Sequence, residues 1–390
     1  MRGVKFFSPI LLIVLALAMS GCGKPKAPIV PEKPVAPEDN PNAIRVGIFL
    51  PLSGNKAAFG EATLEGAKLA VEECNAAGGV LGRPLALIVR DTRSEAAESA
   101  AAVRELAAKN VVAVIGEVTS ENTLAAAPVA VELGLPMVSP GATHAGVTKS
   151  GPWVFRICYV DPFPGKVMSK FAISLGAIGA AVIFDGADPY SSELADTFVK
   201  DFTGQDGKIV AKETYAAGTT DFSAQLDVVK KGNPEVVFFP GYFAEAAAII
   251  KQAKKLGVEA PFLGTDGWES EEFLKAGGAD VNNSYFASHF SIGEKSDRTM
   301  RFVEAFEKMF GHPPIALAAL GFDAVGFVAD GIRRAGTTEA IGLRDAMAAT
   351  SDFPAVTGNI TLDAERNPAK SAPVLRVSDG KFNYLETVAP

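Results

Sequence analysis

From residue 43 onward, short apolar runs alternate with longer stretches whose apolar positions recur at helical spacing. The run "AIRVGIFL" (43–50) has strand length, and after a Gly/Ser turn residues 59–77 predict an amphipathic helix. The alternation continues through the strands "LALIVR" (85–90), "VVAVIG" (111–116), "LPMVS" (135–139), "WVFRICYV" (153–160), "AAVIF" (180–184), "KIVAKETY" (208–215), "EVVFFP" (235–240) and "PFLG" (261–264). Helices are predicted between them near 95–109, 122–133, 165–175, 192–202, 222–231 and 244–256. Short apolar strands separated by helices predict parallel sheets covered on both faces, an α/β architecture. About ten such units exceed one comfortable open sheet, so the pattern predicts two doubly wound parallel-sheet lobes. A helical segment at 297–334 follows, and "NITLD" (359–363) and "PVLRV" (373–377) read as two more strands, which requires the chain to cross between lobes more than once.

Open α/β sheets bind ligands beyond the carboxyl ends of their strands. Five strand ends carry polar or aromatic loops: "GEVTSENT" (116–123), "SPGATH" (139–144), "DGADPYSS" (185–192), "PGYFAE" (240–245) and "GTDGWES" (264–270). Two belong to the first lobe and three to the second, so a ligand clamped between two rims is expected. The chemistry of these loops suits an amino acid. Ser120 starts a predicted helix, where its hydroxyl and the free N–H groups receive a carboxylate. Thr143 adds a donor, Asp266 is an anion for an ammonium group, and Phe59, Tyr190 and Tyr242 offer walls for an apolar side chain. Each also has an ordinary reading taken alone: a serine before a helix caps it, and a tyrosine packs.

The N-terminus has a different pattern. Arg2 and Lys5 precede the apolar run "PILLIVLALAM" (9–19), which falls short of the roughly 20 residues that span a bilayer and predicts a secretory signal. "LAMSGCGK" (17–24) resembles the lipobox of bacterial lipoproteins, which implies cleavage before Cys22 and acylation of its thiol. Several acyl chains anchor stably where a single myristoyl chain is marginal. Pro25, Pro28, Pro31, Pro34 and Pro37 then recur at the three-residue period of polyproline II. At ~3.1 Å per residue such a tether holds a folded body roughly 50 Å from the membrane.

Composition narrows the class. Apolar residues are 48% and charged residues 21% of the chain, enough for substantial cores, and the net charge of −8 argues against nucleic acid and anionic lipid as partners. Cys74 shares a helical face with Leu64, Ala67 and Val71, and we expect it and Cys158 to be unpaired in the core. His144, His289 and His312 are scattered, and His144 is expected at the rim of the site. No His-Glu-x-x-His, Cys-x-x-Cys, Gly-x-Ser-x-Gly or P-loop pattern occurs. "GGVLGR" (78–83) has the wrong glycine spacing for a dinucleotide fingerprint. Neither catalysis, nor a cofactor, nor a metal is expected.

Three stretches, "VGIFLPLSGNKAAFGEATLEGAKLAVEECNAAGGVLGRPLALIVRD" (46–91), "VVAVIGEVTSENTLAAAPVAVELGLPMVSPGATH" (111–144) and "EVVFFPGYFAEAAAIIKQAKKLG" (235–257), resemble the leucine/isoleucine/valine-binding proteins, the extracytoplasmic receptors of branched-chain amino-acid ABC transporters. The resemblance implies a type I periplasmic-binding fold, two lobes with three crossings that close on ligand. It implies that Ser120 binds the ligand carboxylate, that the Gly141 carbonyl meets the ammonium, that the adjacent threonine of the site is Thr143, that Asp266 neutralises the ammonium, and that Phe59, Tyr190 and Tyr242 form the aromatic walls. Two departures stand out. The disulfide of some members would need cysteines near Ser94 and Thr119, and branched-chain binders often carry Glu where Asp266 stands, one methylene longer. Trp268 beside it is expected to add bulk.

The expected organisation is therefore a lipoprotein signal peptide at 1–21, a lipidated cysteine and Pro-rich tether at 22–42, a first lobe at 43–160 plus 288–355, and a second at 161–287 plus 356–390. The expected function is a monomeric, membrane-anchored extracytoplasmic lipoprotein that delivers a branched-chain or other hydrophobic amino acid to an ABC permease. The alternatives are a ligand-sensing receptor subunit signalling through a membrane partner, or a binder of another small molecule.

Overall fold

The computed structural model describes residues 40–390, so Cys22, the signal segment and most of the Pro-rich tether lie outside the described residues. Strands β1 (Ile44–Leu50), β2 (Leu85–Asp91), β3 (Ala113–Ile115), β4 (Met137–Ser139) and β5 (Val154–Arg156) form a first, fully parallel sheet in the order β2-β1-β3-β4-β5. Helices α1 (Ala57–Ala76), α2 (Ala96–Ala107) and α3 (Ser120–Glu132) connect its first four strands. The second sheet contains β6 (Gly179–Asp185), β7 (Lys208–Tyr215), β8 (Val236–Phe238), β9 (Phe262–Gly264), β10 (Tyr285–Ala287), β11 (Ala372–Ser378) and β12 (Lys381–Val388), in the order β12-β11-β10-β9-β8-β6-β7. Its strands β6 to β10 are parallel, and β11 runs antiparallel to both β10 and β12. Helices α4 (Pro162–Ser174), α5 (Pro189–Gly204), α6 (Ser223–Gly232), α7 (Phe243–Leu256) and α8 (Glu271–Gly277) accompany this sheet.

Burial explains the strand sequences. Nearly all of β1 and every residue of β6 are buried. Strands covered on both faces read as continuous apolar runs rather than alternating ones.

After β10 the chain returns to the first lobe through α9 (Asp297–Phe310), α10 (Ala316–Ala335) and α11 (Ala340–Ala348). Helix α10 lies on α1, β3 and β4, and glycines permit the approach. A Cβ on Gly66 of α1 would stand 1.8 Å from the Ala318 carbonyl oxygen, and one on Gly321 of α10 would stand 2.1 Å from that of Thr63. The chain thus passes between the sheets three times: after β5, after β10 and before β11.

Several expectations are corrected. The helical segment at 297–334 is two helices, because Gly311 ends α9 in a left-handed conformation (φ 81°) and Pro313 and Pro314 delay the next start. "NITLD" is not a strand. Ile360 and Leu362 make only isolated bridges to Phe353 and Pro368, a loop paired with itself. Strands β10 and β12 and helices α8 and α11 were not anticipated; β10 shows only three residues and β12 is mostly exposed. Cys74 and Cys158 are both free, but Cys74 is only half-buried and accepts from Arg333 Nη2 at 3.3 Å. Burial pushes the Cys158 thiol up to about 12. Trp268 is fully buried away from the cleft, stacked on Phe273 with its indole N–H donating to the Phe239 carbonyl at 3.1 Å, so it adds no bulk to the site.

Candidate ligand-binding cleft

In both sheets the strand order reverses beside the first strand of the lobe, between β1 and β3 and between β6 and β8. Such switch points form crevices at the carboxyl ends of parallel strands. The structure brings Phe59, Ser120, Gly141, Thr143, Tyr190, Tyr242 and Asp266 together on the wall of one cavity between the lobes. The side chains leave about 20 Å³ between them, room for about one water molecule.

The first-lobe rim is built from backbone and hydroxyls. Ser120 is the first residue of α3, buried, and its Oγ accepts the His144 N–H at 3.2 Å. The turn that presents it is organised by Glu117, wholly buried, whose carboxylate accepts from the Thr119 N–H at 2.7 Å and from the hydroxyls of Thr119 and Thr92 at 2.8 and 2.9 Å. Burial nevertheless raises the Glu117 carboxyl above its ordinary value. The loop carrying Gly141 and Thr143 is held by buried Arg156, which donates to the carbonyls of Ala142, Thr143 and His144 at 3.1, 2.7 and 2.8 Å. A Cβ on Gly141 would lie 2.9 Å from the end of the Leu317 side chain and 3.2 Å from the Val118 carbonyl oxygen, so a larger residue would require Leu317 to shift. Thr143 Oγ1 is buried and without a partner among the described residues.

The second-lobe rim is charged and aromatic. Asp266 begins a single 3-10 turn, Asp266–Trp268, after β9. The Tyr190 hydroxyl donates to Asp266 Oδ1 at 3.2 Å, accepts the Gly267 N–H at 2.9 Å, and lies 2.7 Å from Thr265 Oγ1. With one proton to give, Tyr190 takes Thr265 as a donor. Tyr190 stacks on Tyr242 at 5.2 Å between ring centroids, and Phe59 of the first lobe packs edge-on against Tyr242 at 6.2 Å and Phe243 at 5.0 Å.

Sequence reasoning missed His289. It follows β10, lines the cavity with Nε2 3.4 Å from Asp266 Oδ2, and lies against Tyr159 at 3.8 Å between ring centroids. Burial lowers its pKa against the pull of Asp266, so the ring is neutral. Neither ring nitrogen, neither oxygen of buried Asp161, nor the Tyr159 hydroxyl has a hydrogen-bond partner among the described residues. Burial first, then nearby Asp266, pushes Asp161 well above the ordinary carboxylate range. Glu269, also on the wall, ties the lobes: it accepts the Ala316 N–H at the start of α10 at 2.8 Å and the Ser288 hydroxyl. The signal for this pair was the acidic and histidine content after β9 and β10, but β10 lies in "SYFAS" (284–288), which is no continuous apolar run. His144 is half-buried, its ring 3.5 Å from Glu193 of the second lobe, whose carboxylate also accepts the Ala145 N–H at 2.9 Å. Among the described residues no cluster of metal-ligating side chains occurs, and no helix is long and apolar enough to cross a membrane.

A neutral donor rim facing an anionic one is complementary to a zwitterion. Comparison with known proteins points the same way. A family model described as a periplasmic binding protein matches residues 43–381. The Leu/Ile/Val-binding protein homolog 1 of Brucella suis is 28% identical over 351 residues, covering 88% of this chain and 93% of the relative. The leucine-, isoleucine-, valine-, threonine- and alanine-binding protein of Pseudomonas aeruginosa is 27% identical over 323 residues, covering 83% and 86%. A solved leucine-binding protein from Thermotoga maritima aligns with a TM-score of 0.85 and 35% identity, covering 89% of this chain and 99% of that one. The branched-chain amino acid transporter substrate-binding protein of Streptococcus pneumoniae, solved with isoleucine, aligns with a TM-score of 0.85 and 36% identity, covering 89% and 100%. With the family match spanning both sheets and the cleft between them, the chain belongs to the periplasmic binding protein family.

Proposed function

We propose that this protein is the extracytoplasmic solute-binding component of an ABC transporter, capturing a branched-chain or other hydrophobic amino acid between its lobes and delivering it to a membrane permease. The observation that carries this reading is the pairing, across one cavity, of Ser120 at a helix N-terminus with the Asp266 carboxylate. A zwitterion that enters a dry cleft loses hydration at both ends. Ser120, the α3 N-terminus and Thr143 replace it at the carboxylate, and the Gly141 carbonyl and Asp266 replace it at the ammonium. The leucine and isoleucine named for the solved relatives support the choice of ligand, and the aromatic walls suit an aliphatic side chain.

A cavity of about 20 Å³ is smaller than an amino acid, so ligand entry requires the lobes to part at the three crossings. A thermal-shift screen of the folded body against the common amino acids and simple carboxylates tests the proposal. Leucine, isoleucine or valine is expected to raise the melting temperature, since a ligand at 100 times its Kd stabilises the folded state by about 2.7 kcal/mol. Stabilisation only by carboxylates without an amine would overturn it. Binding without any contribution to uptake through a permease would make the protein a sensing receptor instead.

Acylation at Cys22 is the anchor we propose. Cys22→Ser is expected to release the protein from membranes while ligand binding persists, and undiminished membrane association of that variant would refute the anchor.

A further inference from the structure

Beside the cleft cavity lies a second one of about 90 Å³ that shares Thr119 and Tyr242 with it. Its walls set one cation, Lys56, against Glu121 of the first lobe and Asp185, Asp188 and Glu245 of the second. Asp188 decides what this cavity can be. It is 8% exposed; its Oδ1 caps α5 by accepting the Tyr190 N–H at 3.3 Å, and its Oδ2, buried on the cavity wall, has no partner among the described residues. Glu245 Oε2 is buried and unpartnered in the same way. Lys56 does not satisfy them. It is 9% exposed, and its Nζ sits 3.5 Å from the centroid of the Tyr242 ring rather than in an ion pair with any of the four carboxylates.

Buried carboxylates without enough positive charge are costly, and the deficit is relieved by a cation that brings hydrogen-bond donors. Burial, then the neighbouring Asp185, pushes Asp188 up to about 6, against the Tyr190 N–H and Lys56. Among the described residues no group of these side chains converges as metal ligands do, and the space exceeds that of one bare ion, so an organic cation fits better. Thr119 and Tyr242 line both cavities, so a ligand held at Ser120 and Asp266 reaches Asp188 and Glu245 only if its side chain passes Tyr242.

We infer that the second cavity is a side-chain subsite for the ammonium or guanidinium end of a basic amino acid, which the protein takes in addition to aliphatic ones. This inference rests on the amino-acid reading of the first cavity.

The test compares L-lysine with L-norleucine, which has the same carbon chain and no terminal amine, by titration calorimetry on the wild type, Asp188→Asn and Glu245→Gln. Asparagine keeps the helix cap, and melting curves without ligand check that each variant folds. If Asp188→Asn does not fold, Glu245→Gln carries the comparison. L-lysine is expected to bind the wild type at least as tightly as L-norleucine, and the lysine-to-norleucine affinity ratio is expected to fall at least tenfold in either folded variant. Binding of norleucine without lysine, or an unchanged ratio in the variants, overturns the subsite while leaving the amino-acid reading in place. If lysine, norleucine, leucine, isoleucine and valine all fail to bind, the amino-acid reading falls and the subsite falls with it.

Discussion

The two rims of the cleft solve the same desolvation problem by different means. On the first-lobe rim the polar atoms are largely committed to one another: Glu117 braces the turn before Ser120, and Arg156 clamps three successive carbonyls of the 142–144 segment. On the second-lobe rim, Asp266 hangs from one short turn, buttressed by Tyr190, with a neutral unpartnered His289 beside it. A rim of neutral donors loses one bond when one residue is cut back. A rim that supplies charge loses the counter-ion outright, so the second rim is expected to carry more of the binding energy and the first more of the folding energy.

The sharpest way to break that comparison is Asp266→Ala. Leaving a buried ammonium unpaired costs ~3 to 5 kcal/mol, roughly two to four decades in Kd, and calorimetry should find amino-acid binding nearly abolished. Asp266→Asn is expected to be only slightly milder, because shape survives and charge does not. Tyr242→Phe keeps the apolar wall and loses at most one hydrogen bond, about 1 kcal/mol. If Asp266→Ala binds within about threefold of wild type, the asymmetry between the rims is absent.

Arg156→Met probes the other side. It removes the guanidinium donor from three carbonyls that each keep a second partner, the Cys158 thiol at Ala142, the Asp161 N–H at Thr143 and the Val147 N–H at His144, at about 1 kcal/mol or more for each bond lost. Denaturant unfolding should therefore show a stability loss of ~2 to 4 kcal/mol, relaxation of the loop recovering part of the sum. A stability change below about 0.5 kcal/mol, within the range of ordinary surface substitutions, would mean that the loop does not depend on its clamp.

A pH-dependent test concerns Glu269, which joins the rims. Burial, opposed by the Ser288 hydroxyl and the Ala316 N–H, pushes its carboxyl up to about 7 from a reference of 4.5. Between those values the folded state holds more protons than the unfolded state, so this group makes stability fall as pH rises from about 4.5 to about 7, with no further change above that window. Melting temperatures of the wild type and Glu269→Gln should therefore diverge across this window, the wild type losing more. Parallel curves would show that Glu269 does not titrate there.

Much of this was legible beforehand because it depends on local chemistry. The runs that became β1, β6 and β7 are apolar or alternating over seven or eight residues, long enough to declare a period. The loop at Tyr190 follows β6, and those at Ser120, Thr143, Tyr242 and Asp266 follow the three-residue strands β3, β4, β8 and β9, each lying in a readable apolar run, so parallel topology sends all five toward one edge of each sheet. His289 was not legible, because β10 lies in "SYFAS" (284–288), no continuous apolar run, and takes its place from neighbours remote in sequence, β9 on one side and β11 on the other.

The same division separates what the chain dictates by itself from what only the tertiary structure decided. Apolar periodicity, turn residues and polar strand ends determined an α/β body with a binding rim on each lobe, because these signals arise among residues close together in the chain. The contacts of Lys56 with Tyr242, of Glu269 with Ala316 and of His289 with Asp266 join positions 186, 47 and 23 residues apart. Which unpartnered carboxylates face a cavity, and whether Trp268 points into it or away, follow from how two sheets and three crossings pack, since burial and hydrogen-bond partners are properties of the assembled core rather than of any segment.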